Sequence, residues 1–149
     1  MQMKQSLLRY KYYGSREYGW YYAEEICRYV GTQIKRWNPD ILVPVPMTCR
    51  KKRIRGFNQA EDLAEKIGEL LQIPVAAGLA VKKRETKSQK KLNAVERMRN
   101  LKDAFQITES VRGLRILIVD DVYTTGSTIE TLAECLKESG AGEIYFVTL

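Results

Sequence analysis

The most informative stretch of this chain of 149 residues is ILIVDDVYTTGST, which occupies residues 116–128. It opens with four apolar residues in a row, as expected for a parallel strand that is covered on both faces. Asp120 and Asp121 follow directly, then a segment rich in hydroxyl groups, and the apolar spacing beyond it predicts a helix. Because open α/β sheets bind ligands at the carboxyl ends of their strands, we expect a ligand site here.

The segment between this strand and the next helix has the composition of a phosphate site. The N-terminus of a helix presents unpaired N–H groups and binds phosphates readily. Gly126 allows the tight turn that aims successive amides at one anion. The hydroxyl groups belong to Thr124, Thr125, Ser127 and Thr128. Since a carboxylate pair suits the vicinal hydroxyls of a sugar or a divalent cation held through water, the whole stretch predicts a cradle for a ribose 5-phosphate.

Three other interpretations of residues 116–128 have less support. Receiver domains of response regulators open with a similar run but continue for roughly a hundred residues beyond it, whereas 28 residues follow Asp121 here. A P-loop needs the pattern GxxxxGK[ST], which this sequence lacks. An ordinary buried strand with a capped helix stays open, although a doubled Asp before a hydroxyl-rich turn is unusual for a purely structural turn.

Along the rest of the chain, the apolar spacing predicts alternating strands and helices. Helices are expected at 17–37, from Asn58 to about residue 71, and after residue 127. Strands are expected at 41–43, 105–107, 115–119 and, as another buried strand, 144–147. Asn38-Pro39 ends the first helix, because a residue before proline avoids the α region. The alternation predicts an α/β fold with a central, mostly parallel sheet flanked by helices.

Length and composition limit the kind of protein. A length of 149 residues fits a single domain, 1–149. No run approaches 18 apolar residues and no signal-peptide core opens the chain, so we expect a cytoplasmic protein without membrane insertion. There is no His, and the three Cys residues form no CxxC pair. These facts exclude His-dependent catalysis within the chain and predict neither zinc nor a metal site made by protein alone.

The positive charge is concentrated in one region. The formal net charge is +7, and residues 50–102 contain 15 Lys or Arg against 6 Asp or Glu. This excess predicts a polyanionic partner, phosphates or nucleic acid, with a solvated basic face as the alternative. A basic loop is expected at 47–57, and its candidate nucleic-acid contacts are Lys51, Lys52, Arg53 and Arg55.

Residues 116–128 resemble the motif with which type I phosphoribosyltransferases bind 5-phosphoribosyl 1-pyrophosphate (PRPP). Further segments resemble the ComF family of competence and phosphoribosyltransferase-like proteins. They are KYYG at 11–14, VPVP at 43–46, RIRGFNQA at 53–60 and TKSQ at 86–89, with Leu92, Glu96-Arg97, Asn100 and Ala104-Phe105 in register. The resemblance covers about residues 8–149 and implies a type I phosphoribosyltransferase-like fold.

The resemblance also implies a role for each part of the site. Asp120 and Asp121 would contact the ribose hydroxyls and magnesium, and Thr124–Thr128 would cradle the 5-phosphate. The pyrophosphate loop would run from Pro46 to Arg50 with a strained or cis peptide, and its contacts would be Pro46, Met47, Thr48 and Arg50. A mobile loop at 82–91 would bring further cations to the pyrophosphate, namely Lys83, Arg84 and Lys87. Mg²⁺ would bind together with PRPP.

Two functions follow from the resemblance. One is Mg-dependent transfer of phosphoribosyl from PRPP to an unidentified nitrogen acceptor, in a protein linked to DNA uptake and natural transformation. The alternative is a non-catalytic DNA-binding or adaptor protein of the competence machinery, with single-stranded DNA and the ComF-operon helicase as partners. Most ComF members carry an N-terminal four-Cys zinc finger, which this sequence lacks. Residues 1–16 are instead expected to form an N-terminal arm.

Overall fold

A computed structural model describes residues 17–83, 93, 95–96, 104–121 and 127–149. Its elements in chain order are helix α1 (Glu17–Trp37), strand β1 (Ile41–Pro44), helices α2 (Cys49–Arg55) and α3 (Gln59–Leu71), strands β2 (Ala80–Lys82), β3 (Phe105–Ile107) and β4 (Ile116–Asp120), helix α4 (Ser127–Glu138) and strand β5 (Ile144–Thr148). The predicted arm, 1–16, and most of the predicted mobile loop, 84–91, lie outside the described residues. None of the described helices has the length and apolar character needed to cross a bilayer.

Strands β1, β4 and β5 form a parallel sheet in the order β1-β4-β5. β4 lies in the middle, and its residue Ile116 pairs with Ile41 of β1 on one side and with Ile144 of β5 on the other. Residues 116–119 are completely buried, which explains their continuous apolar run. The predicted α/β fold with a central parallel sheet is confirmed.

β5 is not the buried strand that the sequence predicts. Among the described strands it pairs with β4 alone, so it lies at an edge of the sheet. Val147 is its one buried residue, and Phe146 is 48% exposed. The prediction was wrong because a short apolar run does not reveal how many neighbours a strand has.

Each face of the sheet has its own apolar core, because successive side chains of a strand point to opposite faces. On one face, Leu117, Val119 and Val147 pack with apolar residues of α1 and α3. On the other face, Ile116 and Ile118 pack with α4 and with residues of β2 and β3. With both faces covered, the ends of the strands are the natural place for a site.

β2 and β3 form a separate antiparallel pair, in which Ala80 pairs with Ile107 and Lys82 with Phe105. The strand predicted at 105–107 is confirmed. Lys82, in contrast, ends a strand and does not begin the mobile loop. The sequence signal for β2 is weak, because the strand has three residues and its partner lies far away along the chain.

The segment predicted as a basic loop, 47–57, contains helix α2. Thr48 caps its N-terminus, where the hydroxyl oxygen accepts a hydrogen bond from the N–H of Lys51 at 3.3 Å. Gly56 ends it in the left-handed region, at a φ of 86°. No residue of α2 is buried, so no apolar stripe marks the helix in the sequence. From Pro46 to Arg50, a fully described segment, the peptide bonds are trans and no φ is positive, so the cis peptide considered there is not found.

Gly68 of α3 lies directly against the chain that leads from α3 back to the sheet. A Cβ at this position would lie 2.7 Å from the carbonyl oxygen of Ile73 and 2.7 Å from Cγ2 of Val75. Gly68→Ala is therefore expected to lower the free energy of unfolding by about 1–3 kcal/mol. Urea denaturation measures this change, with Gly78→Ala as the control, because a Cβ there meets nothing within 4 Å. Equal stability of the two variants would contradict the tight packing at Gly68.

Candidate functional site

The carboxyl ends of β1, β4 and β5 meet at one edge of the sheet. The register pairs Pro44 with Val119 and Asp120 with Thr148. Just past the end of β1, the N–H of Val45 donates to the carbonyl oxygen of Val119 at 2.8 Å. This edge therefore brings together the acid pair, the loop after β1 and the hydroxyl group of Thr148.

Asp120 and Asp121 lie half-buried at this edge, where the sequence predicts them. Oδ1 of Asp120 accepts a hydrogen bond from the backbone N–H of Asp121 at 2.8 Å. Oγ1 of Thr148, opposite Asp120 in the register, is buried and has no hydrogen-bond partner among the described residues. A buried polar atom without a partner is unfavourable, so a polar ligand at this edge would gain from a bond to it. Sequence reasoning missed Thr148, because only the strand register places it beside Asp120.

Helix α4 begins at Ser127, six residues after Asp121. Ser127 opens its first turn, and the first N–H groups of a helix are unpaired and available to an anion. The start of the helix at Ser127 confirms the helix expected after residue 127; the phosphate cradle stays a prediction. Thr124, Thr125 and Gly126 lie outside the described residues, so their part in the cradle stays a prediction.

The loop after β1 supplies the second part of the edge. Pro46, Met47 and Thr48 are half-buried, whereas Arg50 is exposed in the first turn of α2. The hydroxyl of Thr48 is engaged in capping α2. These four residues, predicted to contact pyrophosphate, are therefore placed next to the carboxyl end of β1, and Arg50 extends from it as a cation.

Asn58 anchors this loop to the start of α3. Its side chain is buried, with 7% exposure for the residue. Nδ2 donates to the carbonyl oxygen of Val45 at 3.1 Å, and Oδ1 accepts from the N–H groups of Ala60 at 3.0 Å and Glu61 at 3.4 Å. Asn58 thus caps α3, and the helix expected to begin there is confirmed. The bond to Val45 was missed, because it joins residues thirteen positions apart.

Helix α2 presents a cationic surface beside the same loop. Its five basic residues are Arg50, Lys51, Lys52, Arg53 and Arg55. All are exposed except Arg55, which is half-buried. Lys52 lies 3.6 Å from the carboxylate of Glu61, and a surface pair of this kind contributes little to stability. The charge of α2 is therefore directed at solvent.

The cations predicted for the mobile loop are only partly described. Lys83 is exposed immediately after β2, whereas Arg84 and Lys87 lie outside the described residues. An approach of these three side chains to the acid pair therefore stays a prediction.

The thiols of Cys135, which is buried, and of Cys27, which is half-buried, are poor nucleophiles. Burial raises the pKa of Cys135 to about 11, with the carboxylates of Glu138 and Glu134 adding to the effect. Burial also raises the pKa of Cys27 above its ordinary value. Both thiols are therefore protonated near neutral pH and unreactive.

The acid pair fits a magnesium ion that arrives with a ligand. Within the part of the chain that the structure describes, no group of three or more His, Cys, Asp or Glu residues is placed to hold a metal ion. Carboxylate oxygens are nevertheless ligands that magnesium accepts, and the ion usually keeps water and substrate phosphate oxygens as its other ligands. Asp120 and Asp121 would be the residues to hold it, directly or through water.

Comparison with known proteins assigns the chain to a family. The phosphoribosyl transferase domain matches residues 23–149. The chain belongs to the phosphoribosyltransferase domain family. This phosphoribosyltransferase domain is 39% identical over 106 residues to the DNA utilization protein YhgH of Escherichia coli K12, and 35% identical over 109 residues to competence protein F of Haemophilus influenzae. It is 34% identical over 143 residues to competence protein ComFC of Bacillus subtilis.

These relatives confirm the ComF resemblance drawn from the motifs. The matches cover 71%, 71% and 93% of this chain, in the same order, but 47%, 48% and 55% of the relatives. The chain thus spans about half the length of the curated relatives it matches.

Solved structures confirm the type I phosphoribosyltransferase fold. A purine phosphoribosyltransferase from Pyrococcus horikoshii superposes with a TM-score of 0.56 at 20% identity, over 87% of this chain and 73% of that one. A hypoxanthine phosphoribosyl transferase from Trypanosoma cruzi superposes with a TM-score of 0.55 at 15% identity, over 90% of this chain and 65% of that one. At such identities the likeness concerns the fold alone.

Proposed function

We propose that this phosphoribosyltransferase domain binds PRPP together with magnesium and transfers the phosphoribosyl group to a nitrogen acceptor. The observation that carries the proposal is the position of Asp120 and Asp121 at the carboxyl end of the central strand. Thr148 lies beside them in the register, and the N-terminus of α4 follows within six residues. Membership of the domain family supports the same class of ligand.

A ribose between two phosphate groups would meet three parts of this edge. The carboxylates of Asp120 and Asp121 would accept hydrogen bonds from the ribose hydroxyls. The first turn of α4, with Ser127 and Thr128, would hold the 5-phosphate through N–H and hydroxyl groups. The loop from Pro46 to Thr48, with Arg50 beyond it, would hold the pyrophosphate, and cations from the mobile loop would approach it from outside.

Transfer would break the bond between C1 of the ribose and the pyrophosphate oxygen, and would form a bond between C1 and the acceptor nitrogen. Pyrophosphate leaves with the electron pair, and the nitrogen gives up its proton to solvent. Positive charge develops on the ribose during this step, and the carboxylates of Asp120 and Asp121 would stabilise it. Magnesium bound with PRPP would neutralise the leaving group. Positioning and charge stabilisation suffice here, which agrees with a chain without His.

Calorimetric titration of the wild-type chain tests the binding step. We expect Mg–PRPP to bind at least about tenfold more tightly than ribose 5-phosphate or pyrophosphate alone, a difference of about 1.4 kcal/mol, because PRPP contacts all three parts of the edge. No binding to the folded protein at millimolar PRPP would overturn the proposal. Release of pyrophosphate on addition of ammonia or a nitrogenous base tests the transfer, and binding without release would reduce the function to ligand binding.

Helix α2 supports a second candidate function, the binding of single-stranded DNA or an adaptor role in DNA uptake. Four of its five basic residues are exposed, and the relatives carry the names DNA utilization protein and competence protein. On this proposal, α2 would contact the phosphate backbone of DNA, and the chain would act in natural transformation with competence proteins such as the ComF-operon helicase.

Reversing two charges on α2 tests the DNA proposal. The variant with Lys51→Glu and Arg53→Glu is expected to bind single-stranded DNA more weakly. The slope of log affinity against log salt concentration should decrease by about 1.4, since each contact to a phosphate of a single strand contributes about 0.7. The matched control reverses the charges of Lys35 and Arg36 in the last turn of α1, by replacing both residues with Glu. An unchanged slope in the α2 variant, or equal changes in both variants, would contradict DNA binding by α2.

A further inference from the structure

We propose that Asn58 is a positioning residue that holds the loop after β1 and, through this loop, the pyrophosphate end of the site. This inference rests on the function proposed above. Asn58 is almost fully buried, and its side chain makes three hydrogen bonds, two to the start of α3 and one to Val45. It therefore joins two elements that meet at the edge.

The segment Pro44-Val45-Pro46 offers few backbone donors. Proline has no N–H group, so Val45 supplies the single backbone donor of these three residues. That donor is bonded to the carbonyl oxygen of Val119, and the carbonyl oxygen of Val45 accepts from Asn58. Both polar backbone groups of Val45 are thus engaged, one with β4 and the other with α3.

Capping alone does not require an asparagine at this position. Asp, Ser and Thr cap helices about as well, since a cap needs only a side-chain oxygen that accepts from the first N–H groups. Asparagine adds an amide N–H that can donate to a carbonyl oxygen, which Asp at neutral pH does not offer. The bond from Nδ2 to Val45 uses this added donor.

The chain of bonds ends at the acid pair. Val119 directly precedes Asp120, and Val45 directly precedes Pro46, the first residue of the loop. Asn58 therefore ties the start of the loop to α3, while the N–H of Val45 ties it to β4 beside the acid pair. A misplacement of about 1 Å in a site of this kind lowers the rate by about 100-fold. Loss of the hydrogen bond to Val45 should therefore weaken the binding of the pyrophosphate group.

Two variants separate positioning from capping. Asn58→Asp has the same shape and keeps the capping oxygen, but it replaces the donor to Val45 by a second oxygen. Asn58→Ser keeps a capping oxygen, lacks the donor and adds no charge. Agreement between the two variants excludes a purely electrostatic effect of the new carboxylate on pyrophosphate.

Two measurements decide the proposal. In both variants we expect Mg–PRPP to bind at least about tenfold more weakly, with the affinity for ribose 5-phosphate changed less than about twofold. Hydrogen exchange reports the attachment of the loop, because the amide of Val45 is bonded to Val119 and opens with the loop. This amide should exchange at least about tenfold faster than in the wild type, while the amides of Ala60 and Glu61 keep their protection in Asn58→Asp. The control is Gly68→Ala, which is expected to lower stability without changing the ratio of the two affinities.

The outcomes distinguish this proposal from the proposed function. Equal weakening of PRPP and ribose 5-phosphate, or unchanged exchange at Val45, would overturn the role of Asn58. If the wild-type chain binds neither ligand, the proposed function fails. Hydrogen exchange then still decides whether Asn58 holds the loop.

Discussion

Replacing Asp120 and Asp121 together by asparagine is expected to lower the affinity for Mg–PRPP at least about 100-fold while the chain stays folded. A hydrogen bond to a charged group contributes about 1.5–3 kcal/mol, and two such bonds correspond to a factor of at least about 100 in affinity. The fold should tolerate the change, because both side chains are half-buried and keep their size. The amide oxygen of the asparagine introduced at position 120 would still accept the N–H of residue 121, as Oδ1 of Asp120 does now. Calorimetric titration measures the affinity, and urea denaturation measures the stability.

The matched control for this prediction removes the same number of negative charges elsewhere. Glu134 and Glu138 lie exposed on α4, and their replacement by Gln should leave the affinity for Mg–PRPP within about twofold. An affinity unchanged in the Asp120→Asn/Asp121→Asn variant would remove the acid pair from the site. A similar loss in the α4 control would assign the effect to net charge alone.

Lys66→Met is expected to destabilise the protein by about 3–5 kcal/mol, because it leaves a buried carboxylate without its cation. Lys66 and Asp62 face each other on consecutive turns of α3 and form a salt bridge, with side chains only 11% and 9% exposed. The Lys66 ammonium also lies 5.6 Å from the centre of the Trp20 ring on α1. A small domain has roughly 5–15 kcal/mol of stability in total, so this single change should be clearly visible in urea denaturation.

The double variant Asp62→Leu/Lys66→Met separates the contribution of the ion pair to stability from the contribution of the surrounding packing. Replacing a buried ion pair by apolar residues of similar volume is often neutral or stabilising, so the double variant should recover most of the stability lost in Lys66→Met. The coupling energy from the two single variants and the double variant then measures the interaction. A loss below about 1 kcal/mol in Lys66→Met would show that the pair remains hydrated in solution.

The local sequence does not predict that the salt bridge between Asp62 and Lys66 is buried. Gly19 of α1 lies against Asp62 and Lys66, and a Cβ there would come within 3.1 Å of Cε of Lys66. Charged residues four apart on a helix usually form an exposed pair. Burial of this one depends on α1 packing across it, and Gly19 lies far earlier in the chain.

Much of the fold and the centre of the site could nevertheless be predicted from local patterns. The apolar spacing of 17–37 and the stop at Asn38-Pro39 predict α1, and the continuous apolar run at 116–119 predicts the central strand. The position of Asp120 and Asp121 at the carboxyl end of that strand could be predicted because they follow the run directly. In each case the signal and the structure it indicates lie within one short segment.

The remaining features depend on partners that are distant in the sequence. β2 exists through its pairing with β3, Thr148 joins the site through the strand register, and the amide of Asn58 meets Val45 thirteen residues away. Helix α2 buries none of its side chains, so no apolar pattern in the sequence marks it. Its ends are set by the caps Thr48 and Gly56. Local sequence thus specifies which segments are helices or strands and where the acids lie, because hydrophobic periodicity and caps act over a few residues. Packing and register specify which strand lies at the edge, which charges are buried and which side chains complete the site, because these depend on segments that meet only in the folded chain.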